Sequence, residues 1–450
     1  MTKSSENIVD EYLYFLQLND WKRLKEVKSI LDFDIAGEDN NKILLYFLLL
    51  SNYHKNLMTF ILYRGDSSAG KNYVVENVLK LFPKKDVYIF DSATAKALNY
   101  DQDIKNKKII YLRELEYHQS TIELLKGLYN PDGRVHKETI QDKETKAHYV
   151  KEHLLKRKGI ITTFSFENIQ IDVINRGWVL TPDQSFVQTQ KIIKFDIASE
   201  KNLIERKLQK KEMDNRCFFI SQCVQSLDFD FEVFIPYVEK LEVLLPSTQL
   251  NVRRDKNKLF DLIKIITLWN QKNRQFFEIG EEKYLLAEYT DLKMALGMCQ
   301  DLFVNLVLHL DDTKKSILDF MEEFVLVDVD ELKLAPILDN YGGSESSSRP
   351  GTVKEQDVKY TITQLYEEIQ TFESISRKTV KRKMDDLFYE GYLLREKEGG
   401  KYFYSKLKDY NLVNILDLDN IQEEIDSIVE QTYIYYSNKT KELLSDEEVF

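Results

Sequence analysis

Glycine and proline are scarce, at 15 and 7 residues of 450. So low a share excludes a collagen-like chain and argues against sandwiches and propellers, whose many turns consume both. Cysteine is scarcer still. Cys217, Cys223 and Cys299 are too few and too scattered for a disulfide framework or a zinc site, and His54, His118, His136, His148, His153 and His309 form no metal-binding pattern with them. No apolar run reaches the ~18 residues that a membrane span requires. The polar start, MTKSSENIVDEYLYFLQLNDWKRLKEV, holds no signal-peptide core. No membrane partner is expected, and a reducing cytoplasm is the expected compartment. A uniformly basic surface is absent too, since 63 Lys and Arg stand against 75 Asp and Glu, a net −12. Residues 411–450 carry −8 of this, leaving −4 on residues 1–410, so any anion-binding face must be local.

What is present is a core. The chain is 43% hydrophobic with 25 Phe and 26 Tyr, which excludes global disorder, and its length suits two or three domains. Residues 5–50 read as amphipathic helices: ENIVDEYLYFLQL, DWKRLKEVKSILDF and NNKILLYFLLLS. Over 57–200 short apolar runs (MTFILY, DVYIF, KIIYL, GIITTF) alternate with helical stretches, the rhythm of a parallel α/β sheet. From about 197 to 340 the pattern is helical again. YGGSESSSRPGTVKEQ, at 341–356, is the clearest linker.

The strongest local signal is MTFILYRGDSSAGKNYVVENVLKLF. An apolar strand runs into Gly65, Asp66, Ser67, Ser68, Ala69, Gly70, Lys71 and Asn72, and a helix follows. This fits the phosphate loop G-x-x-x-x-G-K. The glycines let backbone N–H groups wrap a phosphate, the helix adds its positive N-terminal end, and Lys71 reaches the β- and γ-phosphates. ATP with Mg²⁺ is the expected cofactor pair. Asn72 stands where a Ser or Thr hydroxyl normally meets the metal, and its amide oxygen is an unusual ligand for a hard cation.

About forty residues on, Lys107–Glu116 (KKIIYLRELE) is an apolar strand ending in charge. Such a strand beside a phosphate loop normally ends in Asp-Glu, the first residue for Mg²⁺ and the second for the attacking water. Here Arg113 takes the first place and Glu114 keeps the second; a charged strand end in solvent is the plain alternative. GIITTF offers the Thr163 hydroxyl as a further holder of that water, or simply threonines that suit a strand. Arg176, in NRG ahead of WVL, is placed to reach a neighbouring subunit's nucleotide as an arginine finger.

The order of these motifs, together with DSATAKALNYD (91–101), GRVHKET (133–139) and NVRRDKNKLFDLIKIITLWNQ (251–271), resembles MCM-like AAA+ helicases, in particular the replication helicases of phages, plasmids and integrative elements. The resemblance covers roughly 57–310. It implies an α/β P-loop AAA+ core with helical N-terminal and lid regions plus a C-terminal winged helix. The segments would be 1–50 for the N-terminal helices, 51–200 for the core and 201–340 for the lid. A linker at 341–358, a winged helix at 359–408 and an acidic helical tail at 409–450 complete them. It also implies a homo-hexameric ring with nucleotide between subunits. Lys71, Glu114 and Thr163 would then face Arg176 and Arg253 or Arg254.

Two basic regions are candidates for DNA contact. RVHKETI and KAHYVKEHL flank QDKET and read as a β-hairpin. In the family it resembles, such a hairpin enters the ring channel, which points to Lys143 and Lys146 at the tip with Lys137 behind them. Residues 359–406 read as helix, basic helix and two strands around Gly399 and Gly400, a winged helix-turn-helix. Its second helix exposes Arg377, Lys378, Lys381 and Arg382, suited to phosphate or groove contact, although such folds also dock proteins. No primase signature is present, so a primase or single-strand-binding partner would be another chain. An ATP-driven DNA helicase is the leading expectation. An ATP-binding initiator or loader with weak or no hydrolysis, and a DNA-binding regulator on an AAA+ scaffold, are the alternatives.

Overall fold

The computed structural model describes residues 15, 18–66, 68–91, 103–114, 134–141, 148–155, 157–165, 177–244, 252–308, 313–314, 316–318, 321, 359–370, 375–389, 392–406 and 418–447. The chain divides into two units. One comprises 1–243, 250–299 and 417–450, the other 244–249 and 300–416.

The larger unit begins with α1 (Asp20–Asp32) and α2 (Asp39–Leu50). Asn19 caps α1 by accepting from the Lys22 N–H at 2.9 Å. The segment expected to be amphipathic in α2 is in fact buried all round from Lys42 to Leu50. Its run ILLYFLLL leaves no polar face, and it packs on helices on either side. Inside, the Lys42 ammonium meets the Gly37 carbonyl at 2.6 Å and Asp32 at 2.5 Å.

Then follow β1 (Phe60–Arg64), α3 (Lys71–Leu79), β2 (Val87–Phe90) and β3 (Ile109–Leu112). An antiparallel pair, β4 (Arg134–Gln141) and β5 (His148–Leu155), forms a separate two-stranded ribbon. β6 (Gly159–Phe164) and β7 (Trp178–Leu180) complete a five-stranded sheet of order β2-β3-β6-β1-β7. Every pair in it is parallel. The fully buried runs FILY, IIYL and IITTF are what a two-sided parallel sheet demands. The strand ending in Arg113 and Glu114 is therefore not the neighbour of the loop strand; the strand carrying Thr163 lies between them.

The region expected to be wholly helical, 201–340, contains a second sheet. After α4 (Phe186–Lys201) and α5 (Leu203–Gln225), β8 (Glu232–Phe234) pairs parallel with a hairpin that follows α6 (Val252–Trp269). That hairpin is β9 (Phe276–Ile279) and β10 (Glu282–Leu286), turning at Gly280 with φ +60°. α7 (Tyr289–Leu308) follows, interrupted at Cys299.

In the smaller unit, α8 (Ile362–Ile369) and α9 (Arg377–Tyr389) pack together, and α9 packs on a hairpin of β11 (Leu393–Glu398) and β12 (Lys401–Lys406). Thr361 and Gln364 cap α8 reciprocally, through Gln364 N–H to Thr361 Oγ1 at 3.3 Å and Thr361 N–H to Gln364 Oε1 at 2.9 Å. An isolated antiparallel bridge joins Tyr360 to Tyr404 of the hairpin.

Over its described part the acidic C-terminal stretch is a packed helix. It forms α10 (Leu418–Glu447) in the larger unit. Ile425 and Val429 are buried, and the Tyr436 ring stacks on Phe277 at 4.8 Å. Apolar residues at helical spacing inside an acidic sequence account for this packing.

A buried ionic cluster ties α1 to the end of α6 and the start of α7. Arg274 donates to Asp20, and to Asp291 from Nε at 2.8 Å and from a terminal nitrogen at 2.6 Å. Arg23 donates to Asp20 at 3.0 Å and to Asn270 at 2.6 Å, and lies over the Trp269 ring. Burial pushes Asp20 up, but the Arg274 charge and hydrogen bonds from Asn273 and Arg274 more than offset it and hold it below its ordinary value.

Glu288, 3.5 Å from Arg274, goes the other way. Burial is the main cause; Asp291, Asp20 and Asp426 add to it against the pull of Arg274, and the carboxyl is pushed up from 4.5 to about 7. A raised acid binds its proton more tightly folded than unfolded, so stability falls as pH rises through this window. Glu288→Gln is expected to melt above wild type at pH 8. The two should melt together below pH 4.5, where both forms of Glu288 are protonated. A pH series of thermal melts reads this, and a constant difference across the series would refute it.

Candidate functional site: a phosphate loop and a basic helix

The loop at residues 65–70 leaves β1 and enters α3. Gly70 precedes the helix with φ +76°, a conformation that suits glycine, and no side chain caps α3. The first-turn N–H groups therefore lack a side-chain acceptor, and the helix presents its positive end to the loop. Ser68 also has φ +76°, a strained backbone that folds keep where a site needs it. Gly65 is fixed by a close approach, since a Cβ there would meet Pro182 at 2.8 Å. The Gln184 amide faces both the carboxylate and the N–H of Asp66, at 3.0 and 3.3 Å.

Lys71 folds back on its own loop and donates to the carbonyls of Gly65 at 2.7 Å and Asp66 at 2.5 Å. Partial burial lowers its affinity for a proton, with Asp66 and Glu114 pulling the other way. A cavity of about 320 Å³ at the carboxyl ends of the strands is lined by Lys71, Asn72, Arg113, Glu114, Thr163 and Ser165, among others. Ligands of open parallel sheets bind at this end.

Asn72 and Arg113 have unexpected partners. The Asn72 amide oxygen lies 3.1 Å from the Tyr111 hydroxyl and 2.7 Å from the Thr163 hydroxyl. The Thr163 hydroxyl also meets the Arg113 carbonyl, and its single proton serves one of these acceptors at a time. Burial holds Tyr111 protonated well above its ordinary range, so it remains a donor. The Arg113 guanidinium pairs with Glu76 at 2.8 Å and Asp91 at 2.7 Å. Glu76 is separated from Asn72 by one helical turn, a spacing visible in the sequence only once Arg113 is known to look back at α3.

Magnesium does not fit the two positions expected to serve it. A hard cation takes carboxylates and free oxygen lone pairs. Here the Asn72 amide oxygen meets two hydroxyls, and a guanidinium occupies the acid's place. Among the described residues, no group of three or more His, Cys, Asp or Glu could hold a metal.

The remaining expected residues are scattered. Arg253 and Arg254 lie in the first turn of α6. Ser67, Lys143, Lys146 and Arg176 fall outside the described residues. Lys137 is on β4 in register with Glu152, and β4 and β5 pair as the hairpin reading expects, from Arg134 with Leu155 to Gln141 with His148.

In the smaller unit Arg377, Lys378, Lys381 and Arg382 are all exposed on α9, while Val380, Met384 and Leu387 are buried beneath them. Ser376 caps this helix by accepting from the Thr379 N–H at 3.2 Å. A groove joins Arg377, Lys378 and Lys381 to Arg395 and Tyr402 of the hairpin. The Arg395 guanidinium lies 4.1 Å from the Phe388 ring and 5.0 Å from the Tyr402 ring. Sequence reading missed Arg395 and Tyr402. They stand two residues from buried Leu393 and Tyr404, on the same strand face, and that spacing of two was the available signal. Among the described residues, no helix is long and apolar enough to cross a membrane.

Comparison with known proteins agrees with the loop. A family profile described as "MTBMA_p00010 P-loop domain" matches residues 11–218. No curated protein sequence matches the chain. Among solved structures, similarity extends to a full-length MCM homolog from Methanopyrus kandleri, at 10% identity and TM-score 0.39 over 67% of this chain and 62% of that one. It extends also to the SCCmec type IV Cch active helicase, at 15% and 0.28 over 92% and 72%. A third is Drosophila ORC bound to DNA, at 9% and 0.24 over 87% and 91%. The chain thus spans less than two thirds of the first of these. The profile match, the all-parallel sheet and the loop together establish a P-loop α/β domain in this chain.

Proposed function

We propose that the chain is an ATP-dependent, ring-forming DNA helicase or translocase serving replication of a mobile element. The observation that carries this reading is the meeting of Lys71, Glu114 and Thr163 on one cavity at the mouth of an uncapped helix. Loop amides and Lys71, released from its own carbonyls, hold the phosphates. Glu114 takes a proton from water as its oxygen attacks the γ-phosphorus, the bond to the bridging oxygen breaks, and ADP and phosphate leave. Thr163 holds that water. Arg176 and Arg253 or Arg254 complete the pocket from an adjoining copy.

Assembly of copies is supported by an exposed apolar face. Ile197, Ile204 and Leu208 on α4 and α5 are 64%, 78% and 75% exposed, more than isolated surface residues account for. The smaller unit serves as a winged helix that meets DNA through Arg377, Lys378, Lys381 and Arg382. Lys137, Lys143 and Lys146 grip it from the β4–β5 hairpin, and the helices of 201–340 act as the lid. Primase or single-strand-binding activity would come from a partner chain.

The pairing of Arg113 with Glu76 and Asp91 favours a second reading, an initiator or loader that binds ATP to assemble and turns it over weakly. Phosphate release with and without single-stranded DNA separates the two. For the motor, Glu114→Gln loses turnover on the order of 100-fold or more while still binding ATP. ATP-dependent growth of the particle without phosphate release selects the loader. Neither effect in a folded protein would remove both.

A further inference from the structure

We propose that this site binds its nucleotide without a protein-held divalent cation, and that Arg113 supplies the positive charge that the metal would bring. The inference rests on the nucleotide-site reading above and specifies how that site neutralises phosphate.

The argument begins with charge. A triphosphate brings several negative charges to a cavity whose described cations are Lys71 and Arg113. In a metal-dependent loop, a hydroxyl at the place of Asn72 and an acid at the place of Arg113 orient the cation. Asn72 directs its oxygen at Tyr111 and Thr163, both at hydrogen-bond distance. Binding a metal through that oxygen would break these bonds on the floor of the site. The other position carries a cation, which repels a second cation rather than holding it.

Arg113 is built to move. Its side chain is 39% exposed, and its partners Glu76 and Asp91 are 41% and 78% exposed. Such surface pairs are worth little, so exchanging carboxylate for phosphate is inexpensive. A guanidinium binds phosphate oxygens through two parallel N–H bonds, a geometry an ammonium cannot offer. Its backbone is meanwhile anchored, because the Arg113 N–H donates to the Phe90 carbonyl at 3.0 Å and its own carbonyl meets Thr163. The side chain can therefore swing while its attachment beside Asn72 stays fixed.

The test is the affinity of the full chain for a fluorescent ATP analogue, titrated in excess magnesium and again in excess EDTA. The wild type is expected to differ by less than ~3-fold between the two, and Arg113→Ala to bind at least ~10-fold more weakly in both. Arg113→Lys should recover only part of that loss, since it restores the charge without the paired N–H geometry. Asn72→Thr/Arg113→Asp should become magnesium-dependent, binding at least ~10-fold tighter with the metal than without. A wild type that loses ~10-fold or more in EDTA would overturn the inference and leave the nucleotide site standing. So would an Arg113→Ala variant of wild-type affinity. Absence of binding in both buffers would instead reject the nucleotide reading, and this inference with it.

Discussion

Lys71→Ala is expected to weaken ATP binding at least ~100-fold, close to 2.7 kcal/mol, while leaving the protein folded. In the structure the ammonium is held by two carbonyls of its own loop. Those bonds close the loop on itself and connect no other element, so losing them should cost no more than about 1 kcal/mol of stability. Phosphate oxygens offer the same ammonium charge-assisted bonds, each worth about 1.5–3 kcal/mol in such surroundings. The loop amides and Arg113 then face the phosphates without the ammonium. Titration of ATP by calorimetry, with a thermal melt of the same sample, separates the two effects. Unchanged affinity in a folded variant would remove the nucleotide site from this loop.

How much of this was legible beforehand depends on the range of the interactions. The strand–loop–helix unit is local. Apolar β1, two glycines and a lysine ahead of α3 specify it within about twenty residues, and no distant contact is needed to read it. The short apolar runs of β2, β3 and β6 are equally plain, because a strand buried on both faces leaves no polar positions. Their order is not local. Nothing in KKIIYLRELE or GIITTF says that the second lies between the first and the loop strand, and that placement is what brings Thr163 onto Asn72. The partners of Arg113 were hidden for the same reason. Glu76 lies 37 positions away and Asp91 lies 22, separations at which the sequence carries no periodic signal.

The second sheet was misread for a different reason. RQFFEIGEEKYLLAEY has the alternation and the glycine of a hairpin, but it is short and sits between the long apolar helices α6 and α7, whose pattern dominates any wide window. α10 shows the opposite case. The sequence reads there as an acidic helical tail, while Ile425, Val429 and Tyr436 lie on one stripe that a count of charges does not register.

The ionic cluster supplies the largest expected effect on stability. Asp291 is fully buried and accepts from Arg274 twice, from Asn270 at 2.9 Å, from Thr267 at 3.1 Å and from the Glu288 N–H at 3.0 Å. Asp291→Ala removes the acceptor and leaves a guanidinium that is 2% exposed with Asp20 and Glu288 as its remaining charged partners. Breaking one side of a buried pair costs about 3–5 kcal/mol, because the stranded charge keeps its desolvation penalty. Asp291→Asn should lose less than Asp291→Ala, since its amide oxygen still accepts on one side, although an NH2 donor replaces the second acceptor oxygen. Replacing both partners, as in Arg274→Met/Asp291→Leu, should be milder than Asp291→Ala alone, because no charge is then left behind. Urea unfolding of the three variants gives the order directly. The cluster joins α1 to the end of α6 and the start of α7, so the loss should appear as unfolding of the whole larger unit and not as fraying of α1. If Asp291→Ala came within about 1 kcal/mol of wild type, the cluster would be energetically idle, as exposed pairs commonly are, and the firm attachment of α1 would need another cause.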